Sequence, residues 1–169
     1  MHSRRRTAVA PVQDQHVAGR RHDERGASAV EFALLMPLFM TIIIGIISYG
    51  YMLSYRQTVS QAAAEGARAA AIAPSGLTAA QKLTKATAAV NDSLQSYGMT
   101  CSGSVLKKGA DAYGSCSITV AGTCPSGSGS CATVTISHQY RDHPLVPSFP
   151  GLGVTLPQNL TFTSVVEVN

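Results

Sequence analysis

Residues 26–53 read GASAVEFALLMPLFMTIIIGIISYGYML, and this stretch decides the architecture. From Phe32 to Leu53 it carries no charged side chain. A helix rises about 1.5 Å per residue, so about 20 apolar residues cross a hydrocarbon core of about 30 Å. The run is therefore long enough to span a bilayer once. Pro37 would break a helix in water, but in lipid it is tolerated as a kink, because neighbouring groups satisfy the freed carbonyl. Tyr49, Tyr51 and Tyr55 gather at the far end, where amphipathic rings favour the interface.

The charge distribution orients the span. The formal net charge is +4, and most of it belongs to the N-terminal arm. There Arg4, Arg5, Arg6, Arg20, Arg21 and Arg25 face only Asp14, Asp23 and Glu24. Basic flanks stay in the cytoplasm, so residues beyond about Ser54 are expected outside it. The rest of the chain is close to neutral and offers no basic track for phosphates, which argues against a nucleic-acid partner. A removable secretory signal fits poorly. The apolar run exceeds the usual h-region, and no small-x-small site closes it promptly.

Glu31 stands just inside this apolar run. A carboxylate at the bilayer centre costs about 2.5–3.5 kcal/mol and less near the surface. It can snorkel to the interface and support the helix start, since acidic side chains favour a helix N-terminus. Its neighbours suggest more. Gly26 precedes Ala27, and Glu31 is the fifth residue after that junction, followed by Phe32.

This pattern resembles the leader of type IV pilins, in which a membrane-bound aspartyl peptidase cuts after the glycine. Arg25 through Leu34, then Pro37 and Gly45, is similar to the N-terminal module of TadE-like proteins, the minor pseudopilins of tight-adherence pilus systems. The segment from Arg56-Gln57 through Ala62-Ala63-Ala64-Glu65-Gly66-Ala67-Arg68 to Ala71 resembles the same family's continuation of the helix. The resemblance implies Gly26 and Ala27 as the processing site and prepilin peptidase as the processing enzyme. It implies other pilins, pseudopilins and the assembly platform as partners beside membrane lipid. It also implies that Glu31, next to Phe32, pairs with the terminal amine of a neighbouring subunit. A lone carboxylate in a low dielectric is penalised and one facing an ammonium is compensated, so such a pair rewards correct register.

The sequence predicts four parts. Residues 1–26 form a basic cytoplasmic leader, 27–53 the membrane helix, 54–73 a helical stalk, and 74–169 a disulfide-bearing α+β domain outside the cytoplasm. Along the stalk, Glu65 and Arg68 form a helix-supporting i,i+3 pair. Ala62, Ala63, Gly66, Ala67 and Ala70 are small enough to let another helix approach closely. Pro74-Ser75-Gly76 ends the helix. Thr78 and Gln81 then make a capping-box pattern, and Leu83, Thr87, Val90, Leu94 and Tyr97 recur at helical spacing up to a stop at Gly98. Beyond Gly98 the period becomes two. Residues 117–120 and 132–138 are expected to pair as an antiparallel hairpin around a Gly/Ser-rich loop, and 160–168 forms a last strand. The proline-rich run 144–157 reads as an extended loop. One helix on a sheet of about three strands is the predicted α+β module.

Cys101, Cys116, Cys124 and Cys131 all follow the span, where an oxidising location and an even count favour disulfides. Three pairings are possible for four cysteines. Cys124–Cys131 would pinch the hairpin loop, and Cys101–Cys116 would tie the exit of the second helix to the first strand. Zinc is disfavoured because no C-x2-C pair occurs. His138 and His143 flank Asp142, but His138 alternates with apolar strand positions and reads as a partly buried strand histidine. No nucleophile elbow, phosphate loop or acidic pair is present, so neither catalysis nor a cofactor is indicated. A structural subunit of a pilus system is the leading reading. A monomeric membrane-anchored binding module unrelated to pili competes with it, and an anchored enzyme outside the cytoplasm is a third.

Overall fold

The computed structural model describes residues 20–146 and 156–168, with side chains from Gly26 onward. Residues 1–19 of the expected leader, the side chains of residues 20–25 and most of the proline-rich run lie outside the described residues. Packing divides the chain into two units, Met1–Ile43 and Ile44–Asn169.

The first unit contains the start of α1, which runs from Arg20 to Ala71 with Pro37 inside it. Thr41 Oγ1 donates to the Pro37 carbonyl at 2.8 Å, a back-bond that satisfies a polar hydroxyl within the apolar run. Every side chain from Gly26 to Ile43 in this unit is exposed. Such a helix is not stabilised by a core of its own.

The second unit holds the rest of α1 and a two-layer domain. Helix α2 spans Ala79–Leu94 and continues as a 3-10 turn, Gln95–Tyr97. The Gln81 N–H donates to Thr78 Oγ1 at 3.3 Å and the Thr78 N–H to Gln81 Oε1 at 2.9 Å, so the capping box forms at the expected residues. Gly98 closes the turn at φ +66°, a left-handed conformation that favours glycine.

Among the described residues, five strands follow in one antiparallel sheet, ordered as they occur in the chain. They are β1 Met99–Ser102, β2 Val105–Lys108, β3 Asp111–Thr123, β4 Ser130–His138 and β5 Leu160–Val168. The expected hairpin is β3–β4, with Cys116 opposite Ile136 and Ile118 opposite Val134. The count of about three strands is corrected to five. β1 and β2 have four residues each and only Met99, Cys101 and Leu106 buried, so they lack an apolar alternation long enough to read. β3 also starts six residues earlier than its visible alternation. It includes Gly114, where a Cβ would collide with the Ser137 carbonyl on β4, so a side chain is absent where the two backbones approach.

Both helices cover one face of the sheet. In α1, Met52, Tyr55, Val59, Ala62, Ala63, Ala67 and Ala70 are buried, a recurrence at three and four residues that defines one helix face. One face of the segment 54–73, expected as a stalk, is therefore buried within the second unit. The close approach allowed by the small residues is taken by the chain's own α2. A Cβ at Gly66 would collide with Val90 and would also meet Val134 on β4. This contact sets the rotation of α2. Its buried seam is Ala86, Val90 and Leu94, while Leu83, expected in the core, is 40% exposed.

Gly66→Leu should therefore cost about 1–3 kcal/mol through overpacking. Ala64→Leu, on the exposed side of the same helix, should stay within about 0.5 kcal/mol. Denaturant unfolding of detergent-solubilised protein, followed by near-UV circular dichroism, measures both. Equal losses would contradict the α1–α2 contact.

Candidate functional site

The segment Gly26–Phe32 lies entirely within α1 and entirely on the outside. Ala27 and Glu31 are four residues apart, so they occupy one helix face a turn apart. Phe32 is 65% exposed, and Leu34, Leu38, Phe39, Ile46 and Ile47 are exposed as well. A helix whose large apolar side chains all point outward needs an apolar surrounding. Among the described residues it is the one helix long and apolar enough to cross a membrane. Gly26 sits at the junction, where it weakens a helix by about 1 kcal/mol relative to alanine.

Residues 26–68 match the family model of TadE-like proteins. The matched segment takes in the outward-facing run and the buried face of α1 up to Ala67, and ends three residues before the helix does. No curated protein and no solved structure matches the chain.

The cysteines are paired. Cys101 on β1 is bonded to Cys116 on β3, with Cα atoms 5.8 Å apart, and Cys124 to Cys131 across the β3–β4 turn, at 5.0 Å. Asn91 of α2 grips the first pair. Its Oδ1 accepts from the Cys101 N–H at 2.6 Å, and its Nδ2 donates to the Cys101 carbonyl at 3.3 Å. The side-chain amide thus substitutes for a strand partner at the sheet's end and fixes α2 over β1.

A second cluster was hidden from the sequence. Tyr55 of α1, Tyr97 of the 3-10 turn, Tyr113 of β3, and His138 and Tyr140 at the end of β4 meet around one another. Ring centroids lie 5.0 Å apart for Tyr55–Tyr97, 5.2 Å for Tyr55–His138 and 5.6 Å for Tyr113–His138. His138 is fully buried rather than partly so. Its Nε2 stands 3.0 Å from the His143 carbonyl, which can only accept, so Nε2 carries the proton. Nδ1 is then the acceptor, and the Tyr55 hydroxyl donates to it at 2.8 Å. Burial lowers the His138 pKa to about 4, and the nearby His143 and Lys108 also disfavour its charged form. Burial likewise raises the Tyr55 and Tyr140 phenols above their ordinary value. The cluster is a neutral, hydrogen-bonded plug. Asp142 is exposed and joins neither histidine in a described hydrogen bond.

Among the described residues, no group of three His, Cys, Asp or Glu side chains is placed to hold a metal. A shallow groove of about 630 Å³ between α2 and β3 is lined by Leu83, Thr87, Asn91, Ser104, Ser117 and Ile118. It brings no charged side chain to a point, and Asn91 is already committed to Cys101. Among the described residues, the largely exposed apolar run from Gly26 to Leu53 combines a large apolar surface with one carboxylate, Glu31.

The neutral histidine sets a pH dependence. The unfolded chain binds a proton at His138 near pH 6.5 and the folded one near pH 4, so folding is opposed between those values. This stability is complete above about pH 6.5 and is lost as pH falls towards 4. Melting temperatures measured across that window should fall more steeply for the wild type than for His138→Gln. Parallel curves would remove His138 as the cause.

Proposed function

We propose that the chain is a non-enzymatic, TadE-like subunit of a tight-adherence pilus system, a minor pseudopilin that aids assembly or anchoring of the filament. Prepilin peptidase cuts between Gly26 and Ala27, the segment 27–53 crosses the cytoplasmic membrane, and the domain stands outside the cytoplasm. The observation that carries this reading is Glu31, the one carboxylate in the largely exposed apolar run from Gly26 to Leu53, one turn from Ala27 within the segment that matches the TadE-like model.

The chemistry runs in order. Cutting after Gly26 creates an ammonium at Ala27 at the cytoplasmic edge of the membrane. In the same layer of a neighbouring subunit, Glu31 is a carboxylate short of water, so the two charges attract across an interface that excludes solvent. Breaking a pair of this kind by removing one partner is costly, because the other charge is left uncompensated. Register along the helix axis is thereby selected, while Leu34, Leu38, Ile42 and Ile46 supply apolar contact to pilin or platform helices. The uncut chain has no amine at residue 27 and makes no such pair. Gly26 also eases the reaction itself, since a peptidase needs an unwound strand and glycine weakens the helix at that bond.

Protein isolated from cells that contain the prepilin peptidase should begin at Ala27 by N-terminal sequencing. An intact leader under those conditions would count against membership of the pilus pathway and favour a simple membrane-anchored module. Glu31→Leu should leave processing largely intact and abolish or strongly reduce piliation, measured by shear yield of pili. Normal piliation would refute the charge pair and leave the anchoring role standing.

A further inference from the structure

The position of Tyr55 has a consequence for where the domain stands. Helix α1 passes Tyr55 beside His138 and Tyr140, at one end of β4, and reaches Ala70 beside Ala132, at the other. It therefore runs antiparallel to β4. Helix α2 runs back along α1, from Ala86 beside Ala70 to Tyr97 beside Tyr55. The turn after α2, the end of β4 and residues 139–145 that follow it thus collect at one end of the domain, around Tyr51–Arg56 of α1. The β3–β4 turn lies at the other end, nine strand residues away, about 30 Å.

That lower end coincides with the edge of the apolar run. Tyr51 lies inside the charge-free segment, and its ring centroid is 5.4 Å from that of Tyr97. The Tyr97 hydroxyl is 2.8 Å from Ser54 Oγ. Counting from Phe32, about 20 residues of helix cross the hydrocarbon core, which ends it near Tyr51. A polypeptide segment remote in sequence therefore descends to the depth at which the helix leaves the hydrocarbon. All six tyrosines of the chain lie at this end or just below it: Tyr49, Tyr51, Tyr55, Tyr97, Tyr113 and Tyr140. Arg56, Lys107, Lys108 and Arg141 are at the same end, against Asp111 and Asp142. Aromatic rings with polar tips beside basic side chains are suited to lipid headgroups.

We propose that the domain has no stalk and is seated on the bilayer that α1 enters, with the Gln95–Gly98 turn and residues 139–145 in the headgroup layer. The inference rests on the membrane-anchored reading above and adds the depth and facing of the domain. A free stalk over 54–73 would instead hold the domain about 30 Å above the surface. The occupant of the lower face is lipid, because the exposed apolar side chains of Ile46, Ile47, Tyr49 and Tyr51 adjoin it along α1 within the same unit.

The chain contains no tryptophan, so single tryptophans report depth without background. Ser96→Trp at the lower turn, Ser128→Trp at the β3–β4 turn and Ile46→Trp in the apolar run all replace exposed side chains. The full chain carrying each is reconstituted in phosphatidylcholine–phosphatidylglycerol vesicles, with lipid brominated near the carbonyl end or near the middle of the acyl chain. Ser96→Trp should blue-shift and lose emission chiefly to the shallow bromine, and Ile46→Trp to the deeper one. Ser128→Trp should be unaffected by either. If Ile46→Trp is quenched and Ser96→Trp is not, the domain stands clear of the membrane and the inference is wrong while the anchored reading survives. If Ser96→Trp and Ser128→Trp are quenched alike, the domain lies on its side and the proposed facing is wrong. If Ile46→Trp is not quenched, the anchored reading fails and the inference falls with it.

Discussion

The face of α1 between Met52 and Ala70 is the constraint on which the rest of the domain depends. Below it the same helix leaves Phe32, Leu38, Ile46 and their neighbours outside. Along it, Tyr55, Val59, Ala62, Ala63 and Ala67 are buried among side chains of the domain. A single helix thus meets two different surroundings, and its side chains change size where the surroundings change. Large apolar residues suit a lipid contact that needs no complementary shape. Alanine and glycine suit a protein contact in which α2 must come close enough for Val90 to occupy the space a Gly66 side chain would fill. Once that approach is set, the seam of α2 is fixed at Ala86, Val90 and Leu94, and the sheet must lie beneath both helices.

Local chemistry was legible and distant chemistry was not. The capping box at Thr78, the stop at Gly98 and the strand over 160–168 each depend on residues within a few positions of one another, and each formed as the sequence implies. β1 and β2 were missed because a four-residue strand with one or two buried side chains carries almost no periodic signal. The buried face of α1 was missed for a different reason. Alanine is both the best helix former and a close-packing residue, so the run from Ala62 to Ala71 reads equally as a solvated stalk or as a core element. Val59 and Tyr55, four residues apart below it, were the signal that favoured the core.

The candidate site divides along the same line. Gly26, Ala27 and Glu31 form a pattern seven residues long with Phe32, and the family match over 26–68 rests on contiguous sequence. Tyr55 and His138 are 83 residues apart and are joined only by folding. Period-two alternation in β4 identified His138 as inward-facing. It held no information about the tyrosine that would meet it, nor about the His143 carbonyl that fixes the tautomer.

The two ends of the domain are held by different physics, and they differ in their distance from Tyr55. At the far end the core thins to Ala70, Ala86, Val120 and Ala132, which bury little area, and the Cys124–Cys131 bridge closes the adjoining turn covalently. A short-loop bridge acts mainly by limiting the unfolded chain and leaves the native packing undisturbed. At the near end the core consists of Tyr55, Met99, Leu106, Ile136, His138 and Tyr140, fully or almost fully buried, with the polar atoms of Tyr55 and His138 paired. Large rings in edge-on contact resist rotation of α1 far better than alanines do, because any turn of the helix must open several contacts and unpair a buried hydroxyl together.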